Sequence, residues 1–217
     1  MNFEQARFNM IEQQIRPWDV LDLSVLALLS SVRREDFVPA ELRTLAFTDT
    51  ELPLGGGRRA LAPRVEARIA QELQLQRTDK VLEIGTGIGY LTALLGHKAQ
   101  SVVSLEADAG LARAAAEKLR RAGLSNVQVR EADGRQGAPG EAPFDAIVLA
   151  GSVAEVPQVL LDQLKVGGRL LGIVGDEPVM RAVLVRRVGE KEFQTTELFD
   201  TVVQRLAGFE SRPAFAF

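Results

Sequence analysis

Three carboxylates stand beside glycine-rich or turn-forming chain in the middle of the sequence: Glu83 in "VLEIGTGIGY", Glu106 closing "SVVSLE", and Asp133 in "EADGRQG". Gly85, Gly87 and Gly89 fall at alternate positions behind an apolar run, with Thr86 between the first two. Such a loop can turn sharply and press bare peptide groups against a ligand. Its G-x-G-x-G spacing, with Tyr90 next, departs from the G-x-G-x-x-G that seats a pyrophosphate on a helix N-terminus. An acid two residues ahead of Gly85 would repel pyrophosphate, but suits a ligand with an ammonium or sulfonium group. Glu106, about 20 residues past the loop, is placed at a strand tip to accept both hydroxyls of a ribose. Asp133, with Gly134, is placed to meet an adenine amine, although the same residues also make a plain turn. Together these positions describe a pocket for a nucleoside joined to an amino acid, and S-adenosylmethionine is the cofactor that fits it.

Other chemistry is narrowed by what the chain lacks. There is no cysteine and one histidine, His97, which removes disulfides, thiolate nucleophiles and cysteine- or histidine-rich metal clusters, so no metal site is expected. His97 follows "LLG" at the expected end of a helix, where it can face terminal carbonyls. The net charge of -3, from 29 acids against 26 bases, gives no overall positive field, so nucleic acid is not the expected partner. The start, "MNFEQARFNMIEQQIRPW", lacks the apolar run of a signal peptide, and no stretch approaches a membrane span. A cytoplasmic protein without membrane contact is expected.

The elements that would position these residues change character near residue 79. Before it, helices are expected over Asn2 to about Arg16, from Asp22 as cap through Val32, and after Pro39, with no strand before Lys80. A Pro/Gly-rich loop from Thr48 to about Pro63 leads into a helix over about Arg64 to Leu75. From Lys80 on, short apolar strands alternate with helices near Tyr90 to His97, Ala109 to Ala122 and Val156 to Leu164. That alternation implies an α/β fold, a doubly wound and mostly parallel Rossmann-like sheet. The last two strands lack an intervening helix and read as an antiparallel edge hairpin. The expected organisation is an N-terminal helical segment with a substrate loop (1–78) and a cofactor-binding domain (79–217). Trp18, the only tryptophan, is expected either to anchor the helical arm on the sheet or to form part of an acceptor wall.

Five stretches, "VRREDFVP", "AFTDTELPLGGG", "VLEIGTGIGYLTALL", "ADGRQGAPGEAPFDAIVLAG" and "EVPQVLLDQLKVGGRLLGIVG", resemble the protein-L-isoaspartate O-methyltransferase family. The resemblance implies a seven-stranded methyltransferase sheet preceded by helices, and methylation of an isoaspartyl carboxylate of protein or peptide. It also implies cofactor contact at the glycine loop, the ribose on Glu106 and the adenine on Asp133.

The substrate loop departs from that family. Its pattern reads P-L-P-I-G-x-G-Q-T-I-S-x-P, with the serine or threonine at the active site. Here the stretch is "ELPLGGGRRALAP": Arg58 and Arg59 replace Gln and Thr, and Leu61 stands at the serine position. Leucine donates no hydrogen bond. Asp49, Arg58, Arg59 and Leu61 are therefore the candidate acceptor-side residues, with Arg64 and Arg68 crowding the same entrance and Asp36 a further acid nearby. A carboxylate acceptor is already ionised and needs no histidine as base. Three outcomes stay open: a carboxylate methyltransferase, a methyltransferase for an anionic small molecule or RNA, and a cofactor-binding protein without turnover.

Overall fold

The computed structural model describes residues 1–209; the last part of the ending "VVQRLAGFESRPAFAF", residues 210–217, lies outside them. Helix α1 (Phe3–Met10) starts where the Asn2 side chain accepts the Gln5 N–H at 3.1 Å. It runs on as a wider turn (Ile11–Ile15) and a tight one (Arg16–Trp18), so the expected first helix is present but not regular. Asp22 caps α2 (Leu23–Ser31) through the N–H groups of Ser24 and Val25. Pro39 precedes a 3₁₀ stretch, Ala40–Leu45.

The expectation of no strand before Lys80 is corrected by a two-stranded hairpin, β1 (Leu52–Gly55) and β2 (Arg58–Ala60), within the Pro/Gly-rich loop. It is separate from the main sheet. Helix α3 follows over Pro63–Glu72, with proline in its first turn, where a missing N–H costs nothing.

The main sheet holds β3 (Lys80–Ile84), β4 (Ser101–Glu106), β5 (Val127–Glu131), β6 (Phe144–Val153), β7 (Leu164–Asp176), β8 (Val179–Arg187) and β9 (Phe193–Asp200). Their order across the sheet is β5-β4-β3-β6-β7-β8-β9. The first five pair in parallel and the last two antiparallel. Helices α4 (Tyr90–Lys98) and α5 (Ala109–Arg121) provide crossovers. The helix expected from Val156 to Leu164 shrinks to α6 (Gln158–Leu161), because Leu164 already belongs to β7. The chain winds outward from β3 to β5, then returns to the other side of β3 at β6, which opens a crevice at the carboxyl ends of β3 and β6.

Alternate residues of β3 enter different layers. Val81 packs in the cluster that holds Leu91 of α4, whereas Leu82 and Ile84 join Ile147 and Leu149 on the opposite face. The N-terminal helices share a third cluster with α4 and α5, through Met10, Ile15 and Leu29 against Tyr90, Leu94 and Leu119. Trp18 sits edge-on against Phe199 of β9 with ring centroids 5.8 Å apart, so it ties the helical arm to the sheet. Among the described residues no helix is long and apolar enough to cross a membrane.

Candidate functional site

A cleft of about 270 Å³ lies at that crevice. One wall is the glycine loop with the tips of the neighbouring strands: Ile84, Gly85 and Gly87, then Leu105 to Ala107, Ala132 and Gly134, and Ala150 with Gly151. Gly85 and Gly87 have φ of 94° and 55°, in the left-handed region that side chains resist. A Cβ on Gly85 would come within 2.7 Å of Leu206 Cδ2. The backbone is therefore bare where a ligand meets it. Gly89 caps α4 just behind the loop and is not part of the cleft wall.

Glu106 is buried at the cleft wall, its Oε2 accepting the Gly87 N–H at 2.9 Å and its Oε1 the Asp108 N–H at 3.0 Å. These bonds fix the carboxylate against the loop and leave each oxygen a further acceptor position, enough for a vicinal diol. Gly134 lines the cleft, while Asp133 borders a shallower pocket that shares Ala107, Ala132 and Ala207 with it. Asp133 accepts the Arg135 N–H at 3.0 Å and the Arg135 Nε at 2.8 Å. Those hydrogen bonds hold its carboxyl below the ordinary range. Asp133 is thus a turn cap at the cleft's edge.

Glu83 is placed differently. It points with Val81 into the layer beneath the loop, fully buried, and its Oε2 accepts the hydroxyls of Thr92 and Ser104, both at 2.6 Å. Its Oε1 has no partner among the described residues. Burial, opposed by the two hydroxyls, pushes the carboxyl up to about 8. The expectation that Glu83 faces a cationic ligand does not fit this placement: it is outside the cleft wall and mostly protonated at neutral pH. The case against a pyrophosphate then rests on the glycine spacing rather than on this charge. Thr86 lines a small pocket under the loop and its hydroxyl meets that of Ser104 at 2.6 Å, so Glu83, Ser104 and Thr86 support the loop from below.

The opposite wall comes from the hairpin, through Glu51, Leu54, Gly56, Arg58, Arg59 and Leu61, and from residues 204–207. Arg58 spans the gap to the donor side, with Nη1 2.8 Å from Asp108 Oδ2. The backbone N–H of Gln204 reaches Glu51 Oε1 at 3.2 Å, and its side-chain amide bonds the Gly57 carbonyl. Arg58 thereby ties the hairpin across the cleft, and Gln204 holds it within its own wall.

The remaining acceptor-side candidates separate. Asp49 is ion-paired with Arg64 and lies outside the cleft wall, as does Asp36, which meets Arg33 and Arg43. Arg68 bonds the Trp18 carbonyl at 2.8 Å and Glu72 at 2.9 Å. Leu61 is buried at the cleft wall, and its carbonyl accepts Arg34 Nη2 at 2.7 Å. Trp18 does not line the cleft, which corrects the acceptor-wall reading in favour of anchoring. His97 ends α4 away from the cleft.

Two features escaped the sequence. Glu51 is a half-buried carboxyl raised by desolvation, and its signal was an acid where the family pattern has proline. Leu206 covers Gly85 and Gly151; no periodicity marks the segment that delivers it.

A family model described as Protein-L-isoaspartate(D-aspartate) O-methyltransferase (PCMT) matches residues 5–206. Protein-L-isoaspartate O-methyltransferase 2 of Pelobacter propionicus is 40% identical over 210 residues, 96% of this chain and 93% of that protein. A protein-L-isoaspartate O-methyltransferase of Rhodopseudomonas palustris is 42% identical over 202 residues, 93% of each chain. Among solved structures, one from Plasmodium falciparum, described as a protein-L-isoaspartate O-methyltransferase in complex with S-adenosyl-L-homocysteine, aligns with a TM-score of 0.78. It shares 20% identity and covers 95% of this chain and 98% of its own, a likeness of fold.

Proposed function

The chain belongs to the protein-L-isoaspartate(D-aspartate) O-methyltransferase family and is an S-adenosylmethionine-dependent methyltransferase of that type; on that premise we propose that its acceptor is an isoaspartyl carboxylate of protein or peptide, methylated in the cytoplasm. The observation that carries this reading is one cleft shared by Glu106, the bare Gly85–Gly87 backbone and the hairpin that bears the acceptor-side residues. In this reading the segment 79–209 supplies the donor wall and the segment 1–78 most of the acceptor wall.

The residues present fit the cofactor: Glu106, with an acceptor position left on each oxygen, would hold the ribose diol, the bare peptide groups at Gly85 and Gly87 would take the amino-acid part, and Gly134, with Asp133 at the edge, would border the base. When bound, S-adenosylmethionine supplies a methyl group on a cationic sulfur. The acceptor carboxylate is ionised at neutral pH, so no base has to take a proton from it. Methylation would remove the acceptor's negative charge together with the positive charge of the donor. What the chain contributes is alignment and exclusion of water, and the Arg58–Asp108 pair and the Gln204 contacts hold the hairpin in place for both.

The test is incubation with methyl-labelled cofactor and a peptide in isoaspartyl or aspartyl form. Base-labile label on the isoaspartyl form alone is expected. Label on neither peptide, with label on another component of a cell extract, would assign a different acceptor, an anionic small molecule or RNA. Retained cofactor binding with no transfer to any component would identify a binding protein without turnover.

A further inference from the structure

We propose that Arg59 is a specificity-determining residue that selects acceptors carrying a second carboxylate beside the one that is methylated; the inference rests on the carboxylate-methylation reading above. Of the four arginines that the sequence crowds near the entrance, only Arg58 and Arg59 line the cleft, where Arg205, ion-paired with Asp176, joins them. Arg58 is paired with Asp108, Arg64 with Asp49, and Arg68 with Glu72 and the Trp18 carbonyl. The Arg59 side chain makes no hydrogen bond or ion pair among the described residues, although the residue lines both the main cleft and the small pocket beside Gly85 and Thr86. The charge coupled to it is that of Glu51, on the same wall and itself half-buried. Glu66 also borders the small pocket but is taken by Arg34 at 2.8 Å.

Arg59 and Leu61, two residues apart, both line the main cleft and the small pocket. The cation therefore projects beside the position where the family's pattern places a hydroxyl. It is poorly suited to grip the reacting oxygens. Their negative charge is lost in the transition state, so a guanidinium on them would stabilise the bound ground state more than the transition state. A second anion that keeps its charge throughout has no such penalty, and a planar guanidinium can hold a carboxylate by two parallel hydrogen bonds. An acidic side chain next to the isoaspartyl residue supplies that group.

The experiment compares two isoaspartyl peptides that differ only in the adjoining residue, glutamate or glutamine. The wild-type protein is expected to favour the glutamate peptide by about tenfold in kcat/KM, chiefly through KM, and the preference should shrink with added salt. Arg59→Gln should erase the preference and Arg59→Lys should keep part of it, with circular dichroism melting as the check on folding. Equal kcat/KM for the two peptides with wild-type protein, or a preference that survives in a folded Arg59→Gln variant, overturns the inference and leaves carboxylate methylation standing. Methylation of neither peptide overturns both. Should Arg59→Gln fail to fold, equal kcat/KM with wild-type protein still overturns the inference, and a folded Arg59→Lys variant supports it by a reduced preference and overturns it by an unchanged one.

Discussion

The Arg34 guanidinium holds the Leu61 carbonyl at 2.7 Å, fixing from below the residue that stands where the family's pattern has an active-site serine or threonine. The same side chain donates to Glu66 at 2.8 Å and to the Ala46 carbonyl at 2.8 Å, and it is fully buried. The acceptor wall is thus built on a desolvated ion pair. Its main chain is held rigidly even though its hydroxyl is gone.

Removing one member of that pair strands the other. Arg34→Met is expected to cost about 3–5 kcal/mol, because Glu66, whose carboxyl burial already pushes up, must either hold an unpaired buried charge or take up a proton. The melting temperature should fall by on the order of 10 °C. Changing both residues to methionine should recover much of the loss. Thermal unfolding of the two variants checks this, and a fall of only about 1 °C for Arg34→Met would show that the pair contributes little.

Leu61→Ser restores a donor at the cleft wall but removes a buried apolar side chain from the cluster that includes Val65 and Leu91. Stability is expected to drop by about 2–3 kcal/mol, while kcat/KM on an isoaspartyl peptide rises. Paired melting and methyl-ester assays separate the two effects. Unchanged activity in a folded variant would mean that the hydroxyl is dispensable here.

Glu83 makes stability depend on pH in a defined direction. Burial raises its carboxyl from 4.5 to about 8 in the folded state, so between those values the folded protein binds more protons than the unfolded chain. The corresponding stability is fully present below pH ~4.5 and is lost as pH rises through about 8. Glu83→Gln keeps an oxygen for Thr92 and Ser104 and never ionises. Its melting temperature should fall less than that of the wild type between pH 5.5 and 8.5; parallel curves for the two proteins would contradict the assignment.

Much of this was legible in the sequence, for reasons that differ by residue. "KVLEIG" and "SVVSLE" are runs too apolar for an exposed strand, and Asp22 and Pro39 mark starts by their own chemistry, so the parallel sheet and most helix starts follow from local pattern. Glu106 was legible because a strand ends where its apolar run ends. The hairpin was not, because β1 contains Pro53 and β2 is three residues long with two arginines; it is held by contacts to Asp108 and Gln204 that are remote in sequence. Glu83 was misplaced because period-two alternation says that residues 81 and 83 share a face without saying which layer covers it. The three paired arginines looked like Arg59 in the sequence, and only their partners tell them apart.

The most direct measurement is calorimetric titration with S-adenosylhomocysteine of the wild-type protein and of Glu106→Ala. Micromolar or tighter binding by the wild type, weakened at least about tenfold by the substitution, is the expected result, since a carboxylate that bonds two hydroxyls is worth on the order of 1.5–3 kcal/mol. A wild-type protein that does not bind, or a folded variant that binds as tightly as the wild type, would contradict the assignment of this cleft to the methyl donor.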